Sequence, residues 1–168
     1  PYNGDFEDPE SLIERAREVG ARLVYIANPD NPMATYLPAD RLQRMIEAAP
    51  SDCIICLDEA YCEFAPADAL PPLDVDDDRV IRFRTFSKAY GLAGMRVGYA
   101  VCHPTLASGF DRIRNHFGVN RLAQAGALAA LEDQQYLAET IDNVVASRAR
   151  IAGIARDNGL IALPSATN

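Results

Sequence analysis

Apolar residues recur at helical spacing in two segments near the start of the chain. In residues 9–19 they fall every three or four positions, Asp8 precedes a proline in the first turn, and Gly20 follows the last apolar residue. An aspartate cap and a glycine stop are typical helix boundaries, so this pattern predicts a helix over 9–19. A second amphipathic helix is predicted from Pro38, with its apolar side chains on one face.

Short apolar runs follow both helices and return later in the chain. LVYIA (23–27) and CIICL (53–57) are typical of buried strands, and VIRFRTF (80–86) and VGYAVC (97–102) are two further strand candidates. Residues 63–79, rich in proline and aspartate, predict a surface loop. Helices that alternate with near-continuous apolar strands indicate an α/β fold with a largely parallel sheet.

The second half of the chain is predicted to be mainly helical. One helix should begin at Pro104, and an alanine-rich helix should cover 120–132. A third should extend from 134 to about 158, because Gly159 is a typical helix stop.

The end of the chain predicts a second, incomplete domain. LIALP at residues 160–164 looks like a strand, but too few residues follow for it to find a partner. We therefore expect a fragment of a longer protein. Its large domain would cover 1–132 and be incomplete at the N-terminus, and residues 133–168 would form a connecting long helix and the start of a small domain.

Composition and charge exclude several classes of partner. The 168 residues are 49% hydrophobic, as in a globular protein, and the net charge is −8 with a pI near 4.7. An acidic chain lacks the positive charge that drives binding to nucleic acids and to anionic membranes, so neither is expected. With no apolar run of the ~20 residues that span a membrane and no signal-peptide pattern, a cytoplasmic location is predicted.

The cysteine pattern raises the alternative of a metal or redox site. Cys53 and Cys56 form a C-x-x-C pair, a spacing found in zinc sites. Both lie in the predicted strand 53–57, however, and strand residues three apart point to opposite faces of the sheet. The two thiols therefore cannot hold one ion, and we predict buried cysteines and no metal.

Polar residues follow the predicted strands at the points where the strands end. Carboxyl ends of parallel strands meet at one edge of the sheet, where ligands of open α/β folds bind. The residues concerned are Asn28, Asp58, Glu59, Tyr61, Thr85, Ser87 and Lys88, and Arg96 directly precedes the strand candidate 97–102. An amide, carboxylates, a phenol, hydroxyls, an amine and a guanidinium are thus predicted to converge on one site.

Three motifs in this set resemble a known family. NPDNP (28–32), DEAY (58–61) and TFSKAYGLAGMRVGY (85–99) are similar, in order and spacing, to the signatures of the class I/II aminotransferases, and nearest to those of histidinol-phosphate aminotransferases. The resemblance implies the three-layer α/β/α large domain of a fold type I enzyme that uses pyridoxal 5'-phosphate. It also implies a homodimer, with the remaining cofactor and substrate contacts outside this chain.

The resemblance also implies roles for individual residues. Lys88 would hold the cofactor as a Schiff base and then shuttle a proton, and Asp58 would keep the pyridine nitrogen protonated. Tyr61 and Asn28 would hydrogen-bond the phenolic oxygen of the cofactor. Ser87 and Arg96, with Thr85, would bind its phosphate.

Several points are left open by the motifs. The implied reaction is a ping-pong transfer of an amino group from histidinol phosphate or an aromatic or other amino acid to a 2-oxo acid. A decarboxylase of the threonine-phosphate type and a non-catalytic aminotransferase-like domain of a regulator are the alternatives. The family further implies that the peptide bond between Asn28 and Pro29 is cis.

Overall fold

The computed structural model of the protein describes residues 1–167. Its helices and strands are, in chain order, β1 Tyr2–Asn3, β2 Phe6–Glu7, α1 Pro9–Val19, β3 Leu23–Ala27, α2 Ala39–Ala48, β4 Ile54–Asp58, β5 Val80–Thr85, β6 Gly98–Cys102, α3 Pro104–Ile113, α4 Arg121–Glu132 and α5 Gln134–Asp157. Short 3₁₀ turns lie at Cys62–Phe64, Ala67–Ala69 and Ala93–Met95. The predicted helices and the four central strands are confirmed, with boundaries that differ by one or two residues.

The helix boundaries follow from the local sequence. The Asp8 carboxylate accepts a hydrogen bond from the Ser11 backbone N–H at 3.1 Å, as an N-cap does. At the other end of α1, Gly20 adopts a left-handed conformation with φ 61°, which glycine reaches at no steric cost. Pro38 occupies the cap position of α2. The start and stop signals therefore act as predicted.

The main sheet has the strand order β3-β4-β5-β6. The first three strands are parallel, with Ala27 opposite Asp58 and Asp58 opposite Phe83. β6 is antiparallel to β5, and Thr85 lies opposite Gly98. The sheet is thus mostly parallel, and the carboxyl ends of β3, β4 and β5 share one edge with the start of β6.

The two faces of the sheet carry different residues because strand side chains alternate. On the first face the β3 and β4 side chains pack with α1 and α2 in one buried cluster, which includes Ile13, Val24, Ile26, Leu42, Ile55 and Leu57. On the second face the Phe83 ring meets Phe110 of α3 edge-on, with centroids 6.5 Å apart. Helices on both faces make the three layers of an α/β/α fold.

The cysteines follow the strand geometry. Cys53 packs in the first-face cluster together with Ile55 and Leu57, whereas Cys56 has the opposite strand parity. Both thiols are buried and free. In the part of the chain that the structure describes, His, Cys, Asp and Glu side chains form no group of three that could hold a metal ion.

Two parts of the chain differ from the sequence-based expectations. A small hairpin of β1 and β2 precedes α1, where no element was predicted. Residues 160–164 form no strand and are exposed. They follow the end of α5, where the Leu160 N–H donates to Ala155 O at 2.9 Å, and no strand of the described residues pairs with them. The division between 132 and 133 stays a prediction. Within residues 1–167, no helix is long and apolar enough to cross a membrane.

Candidate active site

The candidate site lies at the carboxyl edge of the sheet and consists of two adjoining cavities. The first, about 480 Å³, is lined by Asp58, Tyr61 and Lys88 together with Asn31. The second, about 390 Å³, is lined by the phosphate-side residues that the sequence predicted, Thr85, Ser87 and Arg96. Asp58 and Lys88 line both cavities. All the residues predicted to bind the cofactor except Asn28 therefore line one or both of these cavities.

Asp58, the last residue of β4, is held at both of its carboxylate oxygens. Oδ1 accepts the backbone N–H of Ala60 at 2.9 Å, and Oδ2 accepts the hydroxyl of Tyr25 from the neighbouring strand. The side chain is half-buried at the floor of both cavities. A carboxylate held in this way is available to a cationic or N–H-bearing ligand.

Tyr61 and Lys88 lie together in the first cavity. The Tyr61 side chain is buried against Phe64 and Ala89, and its hydroxyl accepts the side-chain amide of Asn31 at 2.9 Å. Lys88 Nζ lies 4.9 Å from the centre of the Tyr61 ring, close enough for a cation–π contact. Lys88 is also the only lysine in the sequence. The chain thus offers one side-chain amine, and that amine lies in the cavity.

The segment after β5 provides hydroxyl and guanidinium groups. The Ser87 backbone N–H donates to Thr85 Oγ1 at 3.1 Å, which fixes the start of the turn. Gly91 turns the chain with φ 69°, a conformation that side chains with a Cβ rarely adopt. Arg96 is itself left-handed, with φ 54°, and its Nη1 donates to Ala93 O at 2.8 Å. Such strain in a non-glycine residue is common at functional sites.

Asn28 is a correction to the sequence-based site. Its side chain is buried, and Nδ2 donates to Leu37 O at 3.0 Å and to Ala69 O at 2.8 Å. Its Oδ1 accepts the Leu37 N–H at 2.7 Å. With both ends of the amide committed to backbone groups, Asn28 does not reach the cavity. The prediction that it contacts a ligand there is wrong.

Asn31 has the position that was predicted for Asn28, and strand parity is the signal that distinguishes them. Ile26 faces the core, and residues two apart on a strand share a face, so Asn28 continues the core-facing series. Asn31 lies beyond the strand and hydrogen-bonds Tyr61. Both Asn-Pro bonds of the motif, at Pro29 and Pro32, are cis, which confirms the expectation for the first.

The hairpin before α1 adds Tyr2 and Glu7 to the first cavity, where no sequence motif predicts them. Glu7 lines the first cavity with Tyr2 and Asp30, and the Tyr2 hydroxyl donates to Asp30 Oδ2 at 2.8 Å. That hydrogen bond raises the pKa of Tyr2 to about 12. Burial, aided by the charge of Asp30, raises the pKa of Glu7 to about 7. This end of the cavity is therefore rich in carboxyl groups.

Glu59 supports the site from behind. Its side chain is fully buried and accepts hydrogen bonds from Arg82 Nε at 2.7 Å and from Arg84 Nε at 2.8 Å. The Arg84 side chain also lines the second cavity. The ion pairs join the end of β4 to β5, so Glu59 is a structural residue beside Asp58.

Comparison with known proteins identifies the family. Residues 1–168 match the family described as aminotransferase class I and II. The chain belongs to this family. The carboxylate, phenol, amine and guanidinium that converge at the edge of its sheet are thus those of an aminotransferase class I and II chain.

Individual relatives agree with this assignment. The chain is 43% identical over 150 residues to the aromatic amino acid aminotransferase of Mycobacterium avium (strain 104) and 40% identical over 151 residues to that of Mycobacterium tuberculosis (strain H37Rv). Each match covers 88% of this chain and 42% of the relative. The chain thus spans less than half the length of the curated relatives it matches.

A solved structure extends the likeness to the whole fold. Histidinol-phosphate aminotransferase from Sinorhizobium meliloti, crystallised with pyridoxal 5'-phosphate, has a TM-score of 0.98 and 54% identity to this chain. The match covers 100% of this chain and 46% of that one. The fold is accordingly that of the fold type I aminotransferases.

Proposed function

We propose that this chain forms the cofactor-binding centre of an aminotransferase that uses pyridoxal 5'-phosphate, with Lys88 as the residue that binds the cofactor covalently. The observation that carries the proposal is the single lysine of the chain, which lines both cavities together with Asp58 and shares the second of them with Arg96. Family membership and the cofactor in the Sinorhizobium meliloti structure support it.

The groups in the two cavities fit this cofactor. Asp58 is suited to a protonated ring nitrogen, and the hydrogen-bonded pair of Tyr61 and Asn31 is suited to a phenolic oxygen. The guanidinium of Arg96 and the hydroxyl of Ser87 match the oxygens of a phosphate, with Thr85 beside them. When bound, the cofactor supplies a ring that withdraws electrons from the substrate carbon.

The residues of the chain have separable tasks in this proposal. The amine of Lys88 would hold the cofactor at its carbonyl carbon and, when free, would move a proton at the substrate α-carbon. Asp58 holds a proton on the ring nitrogen by accepting its hydrogen bond. Tyr61 donates to the phenolic oxygen, and Asn31 orients Tyr61.

The substrates follow from the names of the relatives. We expect an aromatic amino acid or the amine histidinol phosphate as donor, and a 2-oxo acid as acceptor. A homodimer and a cytoplasmic location are further parts of the proposal. Sedimentation of the full-length protein at micromolar concentration measures its mass in solution. The proposed dimer predicts twice the mass of the monomer.

The decisive experiment is covalent trapping on the full-length protein. After addition of pyridoxal 5'-phosphate and reduction with borohydride, peptide mass mapping should find the pyridoxyl group on Lys88. The matched control is Lys88→Ala, which should carry no label and have no measurable transamination. Labelling of a lysine elsewhere in the protein, with Lys88 unmodified, would refute the proposal.

Activity assays then separate the reaction types. Histidinol phosphate and phenylalanine, each with 2-oxoglutarate, test transamination. Release of carbon dioxide from threonine phosphate tests decarboxylation. Conversion of threonine phosphate without any amino transfer would leave the cofactor site intact and overturn the assignment as an aminotransferase.

A further inference from the structure

We propose that Tyr25 is a positioning residue that holds the Asp58 carboxylate toward the cofactor ring, an inference that rests on the proposed function. None of the sequence motifs contains Tyr25, which lies in the middle of β3. Its contact with Asp58 joins two neighbouring strands and adds a residue to the site.

The sheet geometry brings the two side chains together. In the parallel pairing of β3 with β4, Tyr25 lies opposite Cys56 and Ala27 lies opposite Asp58. Residues two apart share a face, so Tyr25 and Asp58 project from the same face, one step apart along the diagonal. A tyrosine is long enough to span that diagonal, and its hydroxyl donates to Asp58 Oδ2.

The carboxylate is thereby held from both sides. Tyr25 donates to Oδ2, and the backbone N–H of Ala60 donates to Oδ1 at 2.9 Å. Rotation of the carboxyl group about its bond would break at least one of these hydrogen bonds. Each oxygen keeps a second lone pair, so the group can still accept a hydrogen bond from a ligand in the cavity.

The surroundings of Tyr25 keep it in the donor form. Its ring is 56% exposed, but the hydroxyl end lies in the cavity with Glu7, Asp30 and Asp58. Loss of water around that end, followed by the hydrogen bond to Asp58, raises the pKa of Tyr25 above its ordinary value. Lys88 is the one cationic side chain lining the same cavity within the described residues. The phenol is therefore protonated at neutral pH and donates.

A positioning role makes a prediction about the cofactor ring itself. Without the Tyr25 hydroxyl, the Asp58 carboxylate can rotate away from the ring nitrogen, and the hydrogen bond that keeps this nitrogen protonated weakens. A purely structural tyrosine would leave the protonation state of the ring unchanged.

Nuclear magnetic resonance of full-length protein loaded with pyridoxal 5'-phosphate, ¹⁵N-labelled at the ring nitrogen, measures this state directly. Tyr25→Phe should move the ¹⁵N signal from the protonated toward the unprotonated position. The same variant should raise the Kd for the cofactor about tenfold, as expected for the loss of a hydrogen bond to a charged group.

The matched control is Tyr2→Phe. Tyr2 lines the same cavity, is 50% exposed and donates its hydroxyl to a different carboxylate, that of Asp30. The Tyr2→Phe variant should therefore leave the ¹⁵N signal and the Kd for the cofactor at wild-type values. A Tyr25→Phe spectrum identical to wild type, or an equal shift in both variants, would overturn the positioning role while the proposed function stands. Failure of wild-type protein to bind the labelled cofactor would instead overturn the proposed function as well.

Discussion

The two faces of the sheet use alternate residues of the same strands for different purposes. On the first face, Val24, Ile26, Ile55 and Leu57 are at most 4% exposed and pack against α1 and α2. On the second face, the same two strands carry Tyr25 and Asp58, which are linked by a hydrogen bond and line a cavity. Alternate residues of these strands therefore contribute to the core, and the residues of the site, Tyr25, Ala27 and Asp58, come from the positions between them.

This division teaches that stability and chemistry can be altered separately in one strand. A substitution on the first face removes apolar contacts without touching the cavity. A substitution on the second face changes the groups that meet a ligand, with little loss of buried apolar area. Five substitutions, in order of decreasing predicted effect, test how complete the separation is.

Asp58→Asn should have the largest effect on activity. The amide keeps the shape of the side chain, and it can still accept the Ala60 N–H, but it carries no negative charge. We expect turnover of the full-length enzyme to fall about a thousandfold, as for the loss of one preorganised electrostatic partner. Steady-state kinetics measures the loss, and urea unfolding should change by less than about 1 kcal/mol. A variant with normal turnover would separate Asp58 from the chemistry.

Ile55→Ala should have the largest effect on stability. The side chain is fully buried in the first-face cluster. Its truncation leaves a cavity and should lower the free energy of unfolding by about 3 kcal/mol. Urea unfolding measures this loss. At a temperature where the variant is folded, its turnover should match wild type, and a large fall in turnover would show that the two faces are coupled.

Asn28→Ala and Asn31→Ala compare the two asparagines of one motif. Loss of Asn28 leaves the backbone groups of Leu37 and Ala69 without their partners, and should destabilise the protein by about 2 kcal/mol. Asn31 is exposed, so its loss should leave unfolding unchanged within about 0.5 kcal/mol. The Asn31→Ala substitution should instead weaken the binding of the cofactor, which an absorbance titration measures. The reverse pattern would restore Asn28 to the site.

Glu7→Gln should have the smallest effect, and one that depends on pH. Because burial raises the pKa of Glu7 from 4.5 to about 7, the native state keeps a proton that the unfolded state loses as pH rises between these values. Wild-type stability therefore falls across that window. Glu7→Gln removes this penalty, and solvent screening limits the gain to about 1 kcal/mol at pH 8. Unfolding at pH 4 should be unaffected, and an equal gain at both pH values would exclude titration as the cause.

The elements of the fold were largely predictable from the sequence. Caps such as Asp8 and Gly20, and the apolar runs of β3 to β6, act locally, so a short window contains the information. Residues 160–164 have the composition of a strand but not a partner, and pairing is not a local property. Each strand of the β1–β2 hairpin has only two residues, which is too few to show an alternation of apolar and polar residues.

The candidate site was predictable where a residue's role follows from its place at the end of a strand. Asp58, Tyr61 and Lys88 lie together as the parallel topology requires. Asn28 was assigned wrongly because the motif was considered without the parity of β3, which directs that side chain into the core. Tyr25 could not be found from a motif, since its contact with Asp58 depends on the register between two strands.

The antiparallel return of β6 has a consequence for ligand selection. Because β5 and β6 are neighbours, the ten residues 87–96 form a closed loop with Lys88 near one end and Arg96 at the other. One loop on a single sheet thus carries both the amine and the guanidinium of the second cavity. In the proposed function these two groups would hold opposite ends of one cofactor, its carbonyl carbon and its phosphate. Pyridoxal without its phosphate would then lack the group that engages Arg96.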